Sequence, residues 1–393
     1  MLFTGSYQNR IADDQVSSAL SNYSAVCIYG PLGCGASSTA SFHASQKDVS
    51  CFIDNCERFP SLYQSMLDEA SRTWNNGVFM AASSYLPDVS VSNSRVSYVR
   101  MGTMSLYETG DSCGFISLGS LFEKEVPKIH CGSSELVDIL SLCNRGGWPS
   151  NQGQDYASAR QYSNRYVNKI ADFLDDTKKR GKVEKILGLI NAFAFFDSSV
   201  SSVSEYLKYL DNSGSGLSLS RNTVLAYISQ FEKLMFISEQ PAFIPKSTIS
   251  RIILKTPKYR LADPSLVAAL LHLDINNVRQ HSELFSIVFD NLCVHDLRIY
   301  ARALGADVLH YRDNYGISAD SVVQLPDGRW GAFKHLISLE KEDEAASELL
   351  RLNSAFNGTP SKPSCLGIIS GLSEYAYTRP DGVMVIPITA LKP

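Results

Sequence analysis

The residues from Gly30 to Ser37 are spaced like those of a phosphate-binding loop. Gly30, Gly33 and Gly35 allow the φ > 0 turns whose N–H groups wrap a phosphate, and Ser37 supplies a hydroxyl for a metal ion. The pattern G-x-x-x-x-G-K-[ST] requires a lysine directly before that serine, but this sequence has Ala36 there. The loop therefore predicts a nucleotide site that has lost the cation contacting the β- and γ-phosphates.

Beyond the loop, the other residues that an ATPase needs are only partly present. Asp54 follows a short apolar run, as a metal-binding aspartate would, but Asn55 stands where a catalytic glutamate is expected. Losing one partner of a desolvated charge pair costs roughly 2–5 kcal/mol, so the missing lysine is the larger loss. The interval from Ser37 to Cys51 has room for one crossover helix. The alternative is a glycine-rich turn between a strand and a helix, without a nucleotide role.

The composition is that of an ordinary globular protein and argues against several classes. The 393 residues suffice for two or three domains, and a formal net charge of −4 argues against constitutive, charge-driven nucleic-acid binding. Neither the nine cysteines nor six of the histidines, His335 among them, show metal-ligand spacing. No metal site is predicted, and these histidines are expected to be structural or exposed. With no bilayer-spanning run and no secretion signal at the N-terminus, we expect a cytoplasmic protein without a membrane partner.

Apolar runs alternate with helical stretches in the first third of the chain, which indicates a mostly parallel sheet covered by helices. The runs lie at residues 25–29, 49–53, 77–82 and 96–101. We therefore predict that the first domain, residues 1–125, is a truncated α/β domain with a P-loop.

The rest of the chain is predicted to form a helical domain and then a second α/β domain. In residues 126–246, helical periodicity dominates, and a helix at 221–235 followed by a short strand suggests a winged-helix unit. In residues 247–393, a long helix precedes a hairpin whose turn is Pro326-Asp327-Gly328. The fold class predicted for the whole chain is α/β.

Over nearly its full length, the chain resembles predicted bacterial and archaeal AAA-type ATPases that carry a C-terminal domain related to restriction-type nucleases. The resembling segments follow the family's order: residues 10–13, 30–40, 52–60, 145–149, 258–266, 289–298, 310–313 and 327–333, with Arg95 following a sensor-like strand end. The resemblance implies a vestigial nucleotide site that contains Gly30, Gly33, Gly35, Ala36, Ser37, Ser38, Asp54 and Arg95. Because Ala36 and Asn55 depart from the family's pattern, the chain looks like a degenerate member.

The resemblance also implies the position of a nuclease-like site. Restriction-type nucleases hold Mg²⁺ with a helix carboxylate, a strand aspartate and an E-x-K pair on the neighbouring strand. Asp290 and Asp320 take the first two positions here, whereas Lys334 and Leu336 occupy the E-x-K positions. An ammonium competes with Mg²⁺, so no cleavage is expected. We predict that Lys334 lies within about 6 Å of Asp320 or Asp290 as a structural charge. The alternative is that both aspartates are ordinary polar residues.

A third candidate site lies at the start of the helix at 221–235. Arg221, Asn222 and Thr223 occupy the positions from which a DNA-reading helix contacts bases and phosphates. The helix has few other cations, chiefly Lys233, so a lid or an interaction module is the alternative.

These residues predict a degenerate AAA-type protein that binds, scaffolds or regulates without catalysis. We expect an unidentified protein partner or self-association, and no tightly bound cofactor. The first alternative is weak binding of Mg-ATP or ADP, or slow hydrolysis, through backbone N–H groups, Ser37 and Asp54. The second alternative is DNA binding through the helix that begins at Arg221.

Overall fold

A computed structural model describes residues 7–47, 49–86, 94–174, 180–212, 218–245 and 251–393. Its helices are α1 Asp13–Asn22, α2 Ala36–Gln46, α3 Pro60–Arg72, α4 Leu106–Thr109, α5 Leu136–Arg145, α6 Tyr156–Leu174, α7 Arg180–Phe195, α8 Val203–Asn212, α9 Arg221–Lys233, α10 Pro264–Leu270, α11 Ser282–Ala303 and α12 Glu342–Ala355. Its strands are β1 Ala25–Tyr29, β2 Cys51–Ile53, β3 Phe79–Ser83, β4 Val96–Arg100, β5 Ile116–Ser117, β6 Ile129–His130, β7 Ile237–Gln240, β8 Lys258–Leu261, β9 Asp307–Arg312, β10 Ser318–Gln324, β11 Trp330–Leu336, β12 Cys365–Ser370, β13 Tyr375–Thr378, β14 Met384–Pro387 and β15 Leu391–Lys392. The predicted α/β class is confirmed. Across the described ranges, none of the helices combines the length and apolarity needed to cross a bilayer.

The first sheet is four-stranded and fully parallel, in the order β2-β3-β1-β4. The four predicted apolar runs form its strands, and β1 coincides with residues 25–29. The single helix α2 connects the glycine loop to β2, as the short interval between Ser37 and Cys51 predicts. Strand β1 therefore lies inside the sheet with the loop at its carboxyl end, and β3 separates it from β2.

The middle of the chain forms a layer of helices, α5 to α9, around one apolar core. In α9, Val224, Ile228 and Phe231 recur at three- and four-residue spacing and are buried. Ser220 caps this helix by accepting a hydrogen bond from the backbone N–H of Thr223 at 3.1 Å. The apolar stripe anchors α9 in the core.

Strand pairing connects the three predicted domains. Strand β7 pairs with β8, so the predicted boundary near residue 246 falls between two strands of one sheet. Residues 246–250 themselves lie outside the described ranges. Strand β6 pairs with β13 in the seven-stranded sheet, and β5 pairs with β15 in a separate two-stranded sheet, so both sides of residue 125 are joined to the last part of the chain. The described segments are therefore interlocked, and the winged-helix and nuclease-like identities stay predictions.

The second large sheet has seven strands in the mixed order β6-β13-β14-β12-β11-β10-β9. The predicted hairpin β10–β11 is confirmed, and Gly328 in its turn has a φ of 92°, which glycine adopts without steric cost. Side chains alternate along a strand, so Phe333 joins the core under α11 while Ala332 joins the core under α12. The two helices thus cover opposite faces of the sheet.

Asp263 connects three distant parts of the chain. Its carboxylate accepts hydrogen bonds from the hydroxyl of Thr103 at 2.6 Å, the N–H of Gly147 at 2.9 Å and the N–H of Ser265 at 2.9 Å. A Cβ at Gly147 would lie 2.0 Å from the carbonyl oxygen of Met104, so only glycine fits this crossing. The contact holds the first sheet, the helical layer and α10 together.

Helix α11 is the central element of the molecule. It contacts α5 and α10, and it also contacts β9, β10 and β11 of the second sheet. Its 22 residues include the buried polar side chains of Asp290, Asn291 and Asp296. Buried polar groups need partners inside the protein, so α11 requires them from the elements packed around it.

Candidate functional site

The glycine loop has the backbone of an anion-binding turn. Gly33 and Gly35 have φ values of 87° and 101°, in the left-handed region that favours glycine. Gly30 is not among the residues with positive φ, so the prediction of a φ > 0 turn there is wrong. Glycine is required at position 30 because there is no room for a Cβ, which would lie 2.6 Å from the Sγ of Cys34 and from the carbonyl oxygen of Met101.

The first turn of α2 presents backbone N–H groups but offers no cation. Gly35 is the N-cap residue, and no side chain of the described residues caps the helix. Ala36 is buried, whereas Ser37 and Ser38 are half-buried. The N–H groups of a helix start attract anions, but a methyl group replaces the ammonium that would bind the phosphate tail.

A buried arginine and a tyrosine contact the loop from outside. Arg10 donates a hydrogen bond to the carbonyl oxygen of Cys34 at 2.8 Å and pairs with Glu108 at 3.0 Å. A Cβ at Gly33 would lie 2.8 Å from the hydroxyl of Tyr162 in the helical layer. Arg10 therefore binds the loop through a carbonyl oxygen and is itself neutralised by Glu108.

Asp54 lies at the carboxyl edge of the sheet but not beside the loop. It follows β2, and β3 lies between β2 and β1, which places the two strands about 10 Å apart. Asp54 is exposed, and its carboxylate accepts the N–H of Asn55 at 2.9 Å. The structure thus leaves Asp54 accessible to a ligand, separated from the loop by the width of one strand.

Arg95 lies at the opposite end of the first sheet from the loop. It precedes β4, whose first residue Val96 is level with Ala25, whereas the loop follows Tyr29. At about 3.3 Å per residue, Arg95 is roughly 15 Å from the loop. Its Nε donates to the hydroxyl of Ser24 at 3.0 Å. Arg95 therefore lies outside the predicted nucleotide site, because the direction of β4 places it at the other edge of the sheet.

The two predicted nuclease-like carboxylates do lie together, each beside a cation of the chain. Asp290 in α11 pairs with Arg260 of β8, whose Nη1 is 2.5 Å from the Oδ2 atom. The Nδ1 atom of His335 lies 2.6 Å from the other carboxylate oxygen, and the backbone N–H of His335 donates to Asp320 at 2.9 Å. Although burial opposes the charged form, Arg260 and then His335 hold the pKa of Asp290 well below its usual range.

Lys334 meets the distance predicted for a structural charge. Its Nζ lies 3.9 Å from Oδ1 of Asp320, and a closer partner that the sequence did not indicate, Glu348 of α12, lies 2.9 Å away. Burial works against the ammonium, but Asp320 and Glu348 raise the pKa of Lys334 above its ordinary value. Burial likewise opposes the Asp320 carboxylate, yet Lys334 lowers its pKa. Lys334 is therefore a charged group shared by two carboxylates.

Arg260 also binds a second buried carboxylate. Its Nη1 lies 3.2 Å from Oδ1 of Asp197, just after α7, and its Nε donates to Gln240 at 2.9 Å. Asp197 further accepts the side-chain amide of Asn291 at 3.0 Å and the N–H of Leu261 at 2.7 Å. Burial is the largest influence on this carboxylate and raises its pKa. The group thus depends on Arg260 and two neutral donors to stay ionised.

These residues form one nearly balanced network, which we call the carboxylate cluster. Its members are Asp197, Asp290, Asp320, Glu348, Lys258, Arg260, Lys334 and His335. Ligand atoms of Asp290, Asp320 and His335 lie within 4.8 Å of one another, so these three side chains have the spacing of a metal site. Arg260 and Lys334 already compensate the two aspartates, however, and a metal ion would have to displace them.

His310 lies next to the cluster and is kept neutral. It is fully buried, and its Nε2–H donates to the carbonyl oxygen of Thr256 at 3.1 Å. Burial and then the ammonium of Lys258 lower the pKa of His310 to about 3. The sequence predicted a structural or exposed histidine here, and its contacts are those of a structural one.

The candidate DNA-contacting residues lie together on the surface. Arg221 and Asn222 are exposed in the first turn of α9, and Thr223 is half-buried. Leu225, in the next turn, is 45% exposed. This surface thus offers both polar and apolar groups, as a DNA-binding helix or a protein-interaction helix can.

Similarity to known proteins covers part of the chain. A domain of unknown function (DUF8612) matches residues 137–277, which is less than half of the chain. The matched segment runs from α5 to just beyond α10, so it unites β7 and β8 across the predicted boundary at 246. No curated protein matches the chain.

Proposed function

We propose that this chain is a degenerate homologue of AAA-type ATPases that acts as a binding or scaffold protein and neither hydrolyses ATP nor cuts nucleic acid. The observation that supports this most is the carboxylate cluster. Arg260 and Lys334 lie beside the two aspartates that a nuclease of this type would use for Mg²⁺. Ala36, in place of the P-loop lysine, is the second observation.

The energetic reason is the cost of separating buried ion pairs. Bringing Mg²⁺ to Asp290 and Asp320 would take one carboxylate partner from Arg260, which keeps Asp197, and one from Lys334, which keeps Glu348. Both cations would also repel the metal ion. Removing one partner of a buried pair typically costs 3–5 kcal/mol. The affinity of a metal ion for two carboxylates does not offset the cost of separating both ion pairs. We therefore expect the cluster to stabilise the fold rather than bind a metal.

Metal binding and cleavage test the nuclease half of the proposal. Titration calorimetry with Mn²⁺ and incubation of plasmid and single-stranded DNA with Mg²⁺ are expected to show neither binding at the cluster nor cleavage. Asp320→Asn serves as the control for contaminating nucleases. DNA cleavage by the wild-type chain that Asp320→Asn removes would refute this half.

Nucleotide binding without turnover is the second candidate function. It is supported by the uncapped start of α2 and the left-handed Gly33 and Gly35. Titration with Mg-ATP and Mg-ADP is expected to give millimolar affinity or none. In Ala36→Lys, the restored cation is expected to tighten binding by at least tenfold, and Ser37→Ala is the control for the hydroxyl. If Ala36→Lys leaves affinity unchanged, the loop is a glycine-rich turn and not a nucleotide site.

DNA binding through α9 is a third candidate, supported by the exposure of Arg221 and Asn222 on a capped helix. A gel shift at several salt concentrations measures it, because phosphate contacts make affinity fall steeply with salt. The double variant Arg221→Ala with Asn222→Ala is expected to abolish the shift. Binding with no salt dependence would speak against phosphate contacts.

A further inference from the structure

A small cavity lined by arginines lies where three elements meet. It is about 40 Å³ in volume and lies among the end of β4, the second half of α11 and the paired strands β7 and β8. Four arginines line it, Arg100, Arg260, Arg298 and Arg302, and none of the other described lining residues is acidic. We call this space the arginine cavity.

Only part of this positive charge has a partner. Arg260 is neutralised by the carboxylate cluster, yet its Nη2 has no hydrogen-bond partner among the described residues, although the side chain is only 1% exposed. Arg298 is oriented by neutral acceptors, the hydroxyl of Ser238 at 2.8 Å and the carbonyl oxygen of Glu239 at 2.7 Å. These contacts hold Arg298 in position without compensating its charge.

The charges of the other two arginines, Arg100 and Arg302, are not neutralised by a described carboxylate. Across the described ranges, neither Arg100 nor Arg302 forms an ion pair with a carboxylate. Burial, and then repulsion from Arg100, lowers the pKa of Arg302 to about 9. Burial and the charges of Arg100 and Arg302 also hold the pKa of Arg298 well below its ordinary value. The free protein therefore carries mutual repulsion here that an anion would relieve.

A second space adjoins the cavity. A smaller cavity of about 20 Å³ shares Arg100, Gly102 and Arg302 with it. That space in turn shares Arg10 and Gln15 with an open cleft of about 850 Å³. The arginines thus lie at the inner end of a row of adjoining spaces that begins at an open cleft.

We propose that the arginine cavity binds a phosphate group, either free phosphate or diphosphate or the phosphate tail of a nucleotide. Planar guanidinium groups match phosphate oxygens in pairs, and a volume of 40 Å³ holds about three water-sized groups, which suits one tetrahedral oxyanion. Only Pro31 of the glycine loop lines the cavity, so this site is distinct from the backbone donors of α2. Phosphate binding in the arginine cavity does not depend on whether the chain has lost catalytic activity.

Thermal unfolding and calorimetry with sodium phosphate, sodium diphosphate and metal-free ATP, at constant ionic strength set with NaCl, test the proposal. We expect a saturable rise in Tm for the wild-type chain. Arg302→Met and Arg100→Met each remove one charge while keeping an apolar stem, and each is expected to weaken binding roughly 10- to 100-fold. Arg279→Met removes an exposed arginine outside the cavity and is expected to bind like wild type.

The same variants separate a ligand role from a structural role. Because the arginines repel one another, Arg302→Met and Arg100→Met are expected to melt at the same temperature as wild type or higher in phosphate-free buffer. Lower Tm in both variants would mean that these arginines stabilise the fold, and the proposal would be overturned. The absence of saturable binding to wild type, or equal weakening by Arg279→Met, would overturn it too. Equal affinity for diphosphate and ATP would identify a free anion as the ligand, whereas tighter ATP binding that Arg302→Met abolishes would identify a nucleotide.

Discussion

In its first half, helix α11 holds Asp290 within hydrogen-bonding distance of Arg260 and His335, whereas its second half holds Arg298 and Arg302 in a cavity that they share with Arg100. In the first region, nearly every charged side chain has an oppositely charged partner. The second region leaves like charges together. A buried charge with an internal partner stabilises the fold, but buried like charges reduce stability unless a ligand joins them.

This difference predicts that removing a cation changes the free energy of unfolding in opposite directions in the two regions. Removing a cation from the carboxylate cluster leaves a buried carboxylate unpaired and destabilises the protein. Removing Arg100 or Arg302, which have no carboxylate partner among the described residues, relieves repulsion in the arginine cavity and does not destabilise the protein. Denaturant unfolding of matched Arg→Met and Lys→Met variants measures both regions on one scale.

The largest effect is expected for Arg260→Met. It leaves Asp197 and Asp290 buried with only neutral donors and His335 as partners, which is expected to cost about 3–5 kcal/mol of the free energy of unfolding. Chemical denaturation with Arg279→Met as the control measures the loss. A loss below about 1 kcal/mol, the median for surface ion pairs, would mean that the cluster is not a closed network.

A smaller loss is expected for Lys334→Met, about 1–3 kcal/mol, because its ammonium is shared by Asp320 and Glu348 at a partly exposed site. Adding Glu348→Gln to Lys334→Met removes one of the unpaired carboxylates. The double variant is expected to recover part of the lost stability. If the two substitutions are simply additive, Lys334 and Glu348 do not interact.

Acid sensitivity is expected from His310, whose folded pKa of about 3 is below the ordinary value near 6.5. The unfolded chain binds one more proton than the folded chain between these values, so stability falls as the pH drops below 6.5. The slope from this group is up to about 1.4 kcal/mol per pH unit.

The His310→Gln variant is expected to show a flatter decline in the free energy of unfolding between pH 7 and pH 5. The exposed His281→Gln is the control and is expected to keep the wild-type slope. Equal slopes for wild type and His310→Gln would show that His310 is not the group that titrates.

The smallest effect is expected for Arg302→Met without phosphate, a gain of roughly 0.5 kcal/mol from relieved repulsion. Saturating phosphate is expected to reverse the order, because only the wild type gains the energy of binding. Equal responses of the two proteins to phosphate would remove the distinction between the two halves of α11.

The sequence predicted local features well because their signals are local. Hydrophobic runs located β1 to β4, helical spacing located α9, and Pro326-Asp327-Gly328 located a hairpin. The two-residue strands β5, β6 and β15 are too short for any periodic signal. Strands β7 and β8 pair across the predicted boundary at residue 246, and pairing between distant segments leaves no local pattern in the sequence.

The sequence located only part of each candidate site, because contacts between residues far apart in the chain leave no local pattern. The resemblance located Asp290, Asp320 and Lys334, and the structure brings these three into one region. Arg260 and Glu348 come from other elements, and nothing in their spacing connects them to the aspartates. The resemblance implies a place for Arg95 in the nucleotide site, but the direction of β4 places it at the opposite edge.

The most direct test of the central claim is the release of γ-phosphate from Mg-ATP by the wild-type chain at high protein concentration. Ser37→Ala, which removes the hydroxyl that is expected to bind a metal ion, measures the background from contaminating ATPases. We predict that the two proteins release phosphate at the same background rate. Release by the wild type that exceeds the rate of Ser37→Ala would contradict the account, because it would show that the chain hydrolyses ATP without the P-loop lysine.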